Sequence, residues 1–305
     1  MTDSTPVRAA SAAEPWQWDE PTWRGHVEHV RAGRTLRPGR WPGGARAAVA
    51  ISFDADHETP ALRDGQTSPA AMAAGEYGSR VAVPRILAVL ARHDVPATFF
   101  VPAVSALLHP GDLREYTDRG HEVGAHGWIH ERNALLTRAD ERDLTLRSLD
   151  VLEELSGARP TGIRTPSWDF SGHTLDVILD AGLRYDSSLM ADDDPYELIG
   201  DGTPTGLVEI PVEWIRDDAP YFSMARYAGL RPHTAPAAVF DIWSREFYAA
   251  LAAGGVFQLT MHPHIIGHRS RLWILDDLLS AIRDSGQAWF TTHAQLAEYV
   301  TAEAE

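Results

Sequence analysis

The chain has no cysteine, and that absence removes disulfides, thiolate nucleophiles and cysteine-ligated metal centres together. Any bound metal must be held by His, Asp or Glu, a donor set that suits zinc or another first-row divalent ion. No run approaches the ~20 apolar residues needed to span a bilayer. The first stretch, Met1 to Pro15, is small and polar, without a basic segment leading into an apolar one. Neither an export signal nor a membrane anchor is expected, and the cytoplasm is the predicted location. No basic block offsets the net charge of −16, which argues against nucleic acid and anionic membranes as partners and leaves small neutral substrates open. What is there is ordinary for a soluble globular protein. The 305 residues, 44% hydrophobic and 23% charged, can bury a full core.

Residues 1–45 are rich in Pro, Arg, Gly and Trp with no sustained period. Trp16, Trp18, Trp23 and Trp41 are too many aromatics for a free tail, so an extended arm is expected, packed on the body or on a neighbouring subunit, with a disordered leader as far as Pro15. From Ala47 the pattern alternates. Strands are expected at Ala47–Phe53, Thr98–Val101, Glu122–Ala125, up to Ile163-Arg164, at Arg184–Asp186, Leu207–Val212 and Val256–Met261. Helical spacing separates them, as at Val81–Arg92, Thr137–Leu155, Ala235–Ala253 and Arg271–Ser285, while Asp54 to Arg80 reads as a long loop. Strands alternating with helices at this rate imply parallel pairing, an α/β class, and a barrel-like closure rather than an open sheet. With no internal repeat and no linker, residues 46–305 read as one domain.

Ionisable residues fall just after the strand ends. In an extended chain residues i and i+2 point the same way, so Asp54 and Asp56 face one site from the end of the first strand. Two carboxylates that close need a positive partner. His126 and His130, four apart in Gly124-Ala-His-Gly-Trp-Ile-His-Glu131, complete with Asp56 a two-His, one-carboxylate set that leaves positions open for water and substrate. His57 competes for that role, although its side chain should point away from Asp56. Arg164 can hold Asp54 ionised through paired hydrogen bonds. His262 follows the seventh strand, with His264 and His268 as neighbouring competitors. In parallel barrels the loops at strand C-termini build the active site. Trp128, Trp168, Tyr221 and Phe222 are expected to wall a compact apolar pocket, with the loop 57–80 as a lid.

These motifs resemble those of the polysaccharide deacetylase (NodB-homology) superfamily over about residues 46 to 300. Ser52-Phe-Asp-Ala-Asp56 is similar to its first motif, in which the first Asp is the base and the second a metal ligand. His126-Gly-Trp-Ile-His130 is similar to its metal motif, Arg164-Thr-Pro-Ser-Trp168 to the motif whose Arg orients the base, and Thr260-Met-His262 to the motif whose His is the general acid. Asp217 or Asp218, in Ile210-Pro-Val-Glu-Trp-Ile-Arg-Asp-Asp218, matches the Asp that tethers this His. Polymer-acting members carry adjacent aspartates; here Ala55 intervenes. Gly75-Glu-Tyr-Gly-Ser-Arg80 and Met261-His-Pro-His-Ile-Ile-Gly267 resemble instead the intracellular branch of peptidoglycan-deacetylase-like proteins, cyclic imide hydrolases and PuuE-type allantoinases. The resemblance implies a distorted seven-stranded barrel, often a homotetramer, and a bound divalent metal, zinc foremost. It implies hydrolysis of a non-peptide C–N bond in a small amide or imide. An N-acetyl sugar or peptidoglycan deacetylase, or a catalytically silent binding member, is the alternative.

Overall fold

A computed structural model describes residues 14–223 and 233–304, so the expected leader lies mostly outside the described residues. Among the described residues, ten strands form one curled sheet: β1 (Val30–Thr35), β2 (Ala47–Asp54), β3 (Thr98–Val101), β4 (Glu122–Ala125), β5 (Gly162–Ile163), β6 (Tyr185–Asp186), β7 (Tyr196–Gly200), β8 (Thr203–Glu209), β9 (Val256–Met261) and β10 (Ala288–Thr291). Eight of them run parallel, seven in the order β9-β2-β3-β4-β5-β6-β8 and β10 beside the first half of β2. The chain beyond β8 returns to β9 through one parallel bridge, Asp217 to Thr260, which closes the ring. With β5 and β6 only two residues each, the barrel is distorted, as expected.

Alternation on β2 defines two cores. Ala47, Val49, Ile51 and Phe53 join the larger cluster, which includes the helix residues Ile86, Leu87, Val239, Phe247 and Leu278. Ala48 and Ala50 point the other way, into a smaller cluster with Phe100, Tyr185, Val208 and Ile210, which is the barrel interior. The helix His293–Ala304 caps this interior from the N-terminal end of the barrel with Leu296, Ala297 and Val300. The helices follow their sequence signals. Thr137 caps Arg138–Ser156 by accepting from Asp140 N, and acidic Asp140 and Glu141 fill the first turn.

Three departures from the sequence reading have local causes. The expected loop from Asp54 to Arg80 is largely helical, with helices Thr59–Arg63 and Pro69–Tyr77 and a wide π turn at Gly78–Ala82. Ser68 caps the second helix and Pro69 occupies its first position, but of its residues only Gly75 is buried, so apolar periodicity was weak. Gly75 and Gly78 let it lie flat on the strand-end turn. A Cβ at Gly75 would stand 2.4 Å from the His57 carbonyl and one at Gly78 2.4 Å from His57 Nδ1. Second, the arm is not extended throughout. Glu20–Glu28 is a helix with no buried residue, and β1 pairs antiparallel with β7. Trp41 is the anchor, buried with its indole N–H donating to Gly254 O at 3.0 Å, whereas Trp16 is 81% exposed. Third, β7 and β8 form a hairpin through Asp201-Gly202, both at positive φ, a two-residue turn signal in the sequence.

Among the described residues, no helix is long and apolar enough to cross a membrane.

Candidate active site

The inner face of β2 continues from Ala48 and Ala50 through Ser52 and Asp54 to Asp56, while Ala55 turns outward into the larger core and keeps the ladder by donating its N–H to Phe100 O at 2.8 Å. Both aspartates therefore enter one buried pocket, 2% and 3% exposed.

Arg164, just past β5, is fully buried and sits with its guanidinium 4.1 Å over the Phe100 ring. Its Nη1 donates to Asp54 Oδ1 at 2.7 Å and to Ser52 Oγ at 2.9 Å, and its Nε to Ser187 O at 3.0 Å. Its Nη2 donates to Ser187 Oγ at 2.9 Å and to His293 Nε2 at 3.3 Å. Asp54 Oδ2 is left facing His126 Nε2 at 3.8 Å and His262 Nε2 at 4.0 Å.

His126 and His130 are brought together by a turn. Gly127 and His130 take positive φ, and the Glu131 carboxylate accepts from the backbone N–H groups of Trp128 and Ile129, which closes the loop. His126 Nδ1 donates to Arg164 O at 2.6 Å, so Nε2 is free toward Asp56 Oδ1, 3.4 Å away. His130 Nε2 lies 3.5 Å from Asp56 Oδ2, and Arg63 Nη1, from the helix Thr59–Arg63, lies 2.9 Å from its Nδ1.

Two of these buried atoms, Asp56 Oδ1 and His126 Nε2, have no hydrogen-bond partner. Ligand atoms of Asp56, His126 and His130 all lie within 4.8 Å of one another. A buried carboxylate facing two imidazole nitrogens, with donors left over, fits a divalent cation of the zinc type.

His262, after β9, donates from Nδ1 to Asp218 Oδ1 at 2.7 Å, and its backbone N–H reaches Asp218 Oδ2 at 3.0 Å. Asp217 stands further off, 3.6 Å from Nδ1, and accepts from Ala219 N at 2.8 Å. Asp218 is therefore the residue that holds His262. The cluster of Asp217, Asp218 and His262 also has metal-like spacing, but Asp218 commits both oxygens to His262, so it is a tether rather than a second cation site.

Burial sets the titration of these groups and neighbours reverse it in places. Burial would raise the Asp56 carboxyl, but His130, His126 and His262 hold it well below its usual range. Burial would lower His262, yet Asp218 and Asp217 keep it well above the ordinary imidazole value. His130 goes the other way, down to about 4, because burial outweighs Asp56 and His126 and Arg63 add repulsion.

Of the competing histidines, His264 lies beside the site, its ring centroid 5.9 Å from that of His262, and the other two are placed elsewhere. His57, at positive φ, turns its Nε2 to 3.6 Å from Asp112 and away from Asp56, as expected. His268 stacks on Tyr77 at 4.1 Å, and His264 Nδ1 is buried without a partner. Of the four expected pocket aromatics, Trp168 packs on Trp214 at 4.1 Å, Trp214 being 48% exposed. Trp128 is half-buried beneath the Arg147 guanidinium, 4.1 Å away. Tyr221 donates its hydroxyl to Ile215 O at 2.9 Å, and Phe222 is a core residue rather than a pocket wall, packed in the larger cluster with Arg271 over its ring. Ser52, Ser187, Arg63 and His293 touch the site without having been expected there; for Ser52 the i, i+2 spacing from Asp54 was the available signal.

The fold is that of the NodB-type barrel. The chain belongs to the polysaccharide deacetylase family. A family model described as polysaccharide deacetylase matches residues 65–185. Peptidoglycan deacetylase of Helicobacter pylori is 30% identical over 258 residues, spanning 74% of this chain and 86% of that protein. Among solved structures, a Mycobacterium smegmatis protein assigned as a polysaccharide deacetylase superposes with a TM-score of 0.82 at 34% identity, covering 90% of this chain and 96% of that one. PuuE allantoinase superposes with a TM-score of 0.76 at 24% identity, covering 88% and 94%, a likeness of fold.

Proposed function

We propose that the chain is a metal-dependent hydrolase of non-peptide C–N bonds, acting on a small amide or cyclic imide. One observation carries the reading: Asp56, His126 and His130 converge with two partnerless buried atoms beside a carboxylate and a protonated imidazole that are both held rigidly. Asp56, His126 and His130 would hold a divalent ion, zinc foremost. When bound, such an ion polarises a carbonyl and lowers the pKa of water toward about 7.

The protein's own groups divide the proton work. Asp54, with Oδ1 fixed by Arg164, offers Oδ2 as the general base toward the attacking water. His262, charged through Asp218, offers the Nε2 proton to the leaving nitrogen. Asp217 adds to the field that keeps it charged, with Ala219 N fixing its direction. The fold of residues 59–82 over the His57–Glu58 turn supports a small substrate, and Trp168 with Trp214 supplies an apolar wall at the strand ends. A second reading, removal of the acetyl group from an N-acetyl sugar, uses the same residues and is favoured by the likeness to peptidoglycan deacetylase.

Metal analysis of the purified protein and turnover of succinimide, hydantoin, allantoin and N-acetylglucosamine oligomers test both. Activity on the cyclic compounds supports the first reading, and activity on the sugars alone supports the second. No bound metal and no turnover of any of the four would sink both and leave a catalytically silent binding protein.

A further inference from the structure

A guanidinium has five N–H donors, and in Arg164 all of them are matched, to Ser187 O, Ser52 Oγ, Asp54 Oδ1, Ser187 Oγ and His293 Nε2. Four of these acceptors come from strand ends of the barrel. The fifth, His293, is the first residue of the helix that caps the opposite end. It follows β10, which pairs only with the first half of β2, Ala47–Ala50, so its side chain enters the interior below the site. His293 is completely buried, with Phe100 edge-on at 5.2 Å.

Hydrogen bonding beyond His293 runs in one direction. Arginine can only donate, so Nε2 accepts and the ring proton is on Nδ1, which donates to Thr98 Oγ1 at 3.1 Å. The Thr98 hydroxyl in turn donates to Glu122 Oε2 at 2.8 Å. Glu122 is secured by Tyr185 OH at 2.6 Å and by Ala294 N at 2.9 Å. A protonated His293 could not accept from Arg164; burial and the guanidinium charge push its pKa well below the ordinary value.

We propose that His293 is a positioning residue for the hydrolytic reaction: as the neutral Nδ1–H tautomer it takes the last Arg164 N–H and, through Thr98 and Glu122, anchors the guanidinium that aims Asp54. The inference rests on the reading of Asp54 as the base. Without His293, the fifth donor has no acceptor in a dry interior, and the cheapest relief is rotation of the guanidinium, which takes Nη1 away from Asp54.

The test compares His293→Leu, which removes the acceptor, with His293→Gln, whose side-chain oxygen can replace it. The Leu variant is expected to lose about 10–100-fold in kcat, the range for removal of an outer partner, with KM and metal content unchanged. The Gln variant is expected to regain most of that loss. In an Arg164→Lys background His293→Leu should cost nothing further. Nitrogen-15 NMR of the wild-type ring should show a neutral Nδ1–H imidazole, a readout that needs no turnover. Should His293→Leu fail to fold, Thr98→Val, which removes the Nδ1–H acceptor, is the substitute and should lower kcat in the same direction. Full kcat in His293→Leu, or an Nε2–H tautomer, overturns the proposal. If Asp54→Asn stays fully active, the reading of the base has failed instead, while the NMR signature still reports on His293 independently.

Discussion

Two buried ionic groups sit within 4 Å of each other in this barrel and are built in opposite ways. Around Arg164 every N–H has an acceptor and Asp54 Oδ1 is fixed at 2.7 Å. Around Asp56 one carboxylate oxygen and the His126 Nε2 are buried with nothing to bond. The first group is complete within the chain; the second leaves the atoms that a divalent cation would satisfy. The difference teaches why adjacent carboxylates on one strand face have separate fates. Burial of an ion is tolerated only when its charge and lone pairs are satisfied. Asp54 finds that in a guanidinium, whereas Asp56 meets two imidazoles that leave donors over.

The comparison can be broken most directly at Asp54. Asp54→Asn is expected to keep the metal and lose about 10²–10⁴ in rate, the worth of a general base. Retention of both metal and turnover would mean that Asp54 has been assigned the wrong role. Arg164→Met should next unfold most readily, because it leaves Asp54 charged and unpaired in the interior. A loss of about 3–5 kcal/mol in chemical denaturation is expected, and an unchanged midpoint would show that the pair is not needed to bury Asp54.

Chelation sharpens the other side. Removing the metal should lower the melting temperature, since an ion at 100 times its Kd contributes about 2.7 kcal/mol. In Asp56→Asn, chelation should then have no effect; an equal effect would place the ion elsewhere.

The smallest effect is on the alkaline limb of the rate profile. His262 is held well above its ordinary pKa by Asp218 and Asp217, so it stays protonated up to its folded-state pKa and the stabilisation from the charged pair is lost as pH rises through that value. Asp218→Asn weakens the hold, and the limb should move to lower pH by about one unit or more, each unit being 1.4 kcal/mol. A limb that does not move would assign it to another group.

Much of this is legible in the sequence. Alternation placed Asp54 and Asp56 together, the four-residue spacing joined His126 to His130, and Arg164 and His262 stood at strand ends because every inner strand position leads to the same mouth. The choice between Asp217 and Asp218 was not legible. Both follow one strand, and only the start of the short helix Ala219–Phe222, where Ala219 N engages Asp217, leaves Asp218 for His262. Residues 59–80 read as loop because that segment buries mainly glycine against the His57 turn, and glycine leaves no apolar period.

What the sequence by itself determined is the local chemistry: strands that alternate, residue types that can bind a cation or move a proton, and their order along the chain. Which of those residues share hydrogen bonds was decided only by the tertiary structure. His293 lies 129 positions from Arg164 in the chain and is joined to it at 3.3 Å. Its place depends on β10 ending halfway along β2 and on a helix turning into the barrel behind it. Side-chain periodicity reports the face a residue takes within its own element, but a contact between elements depends on register and on where each strand stops.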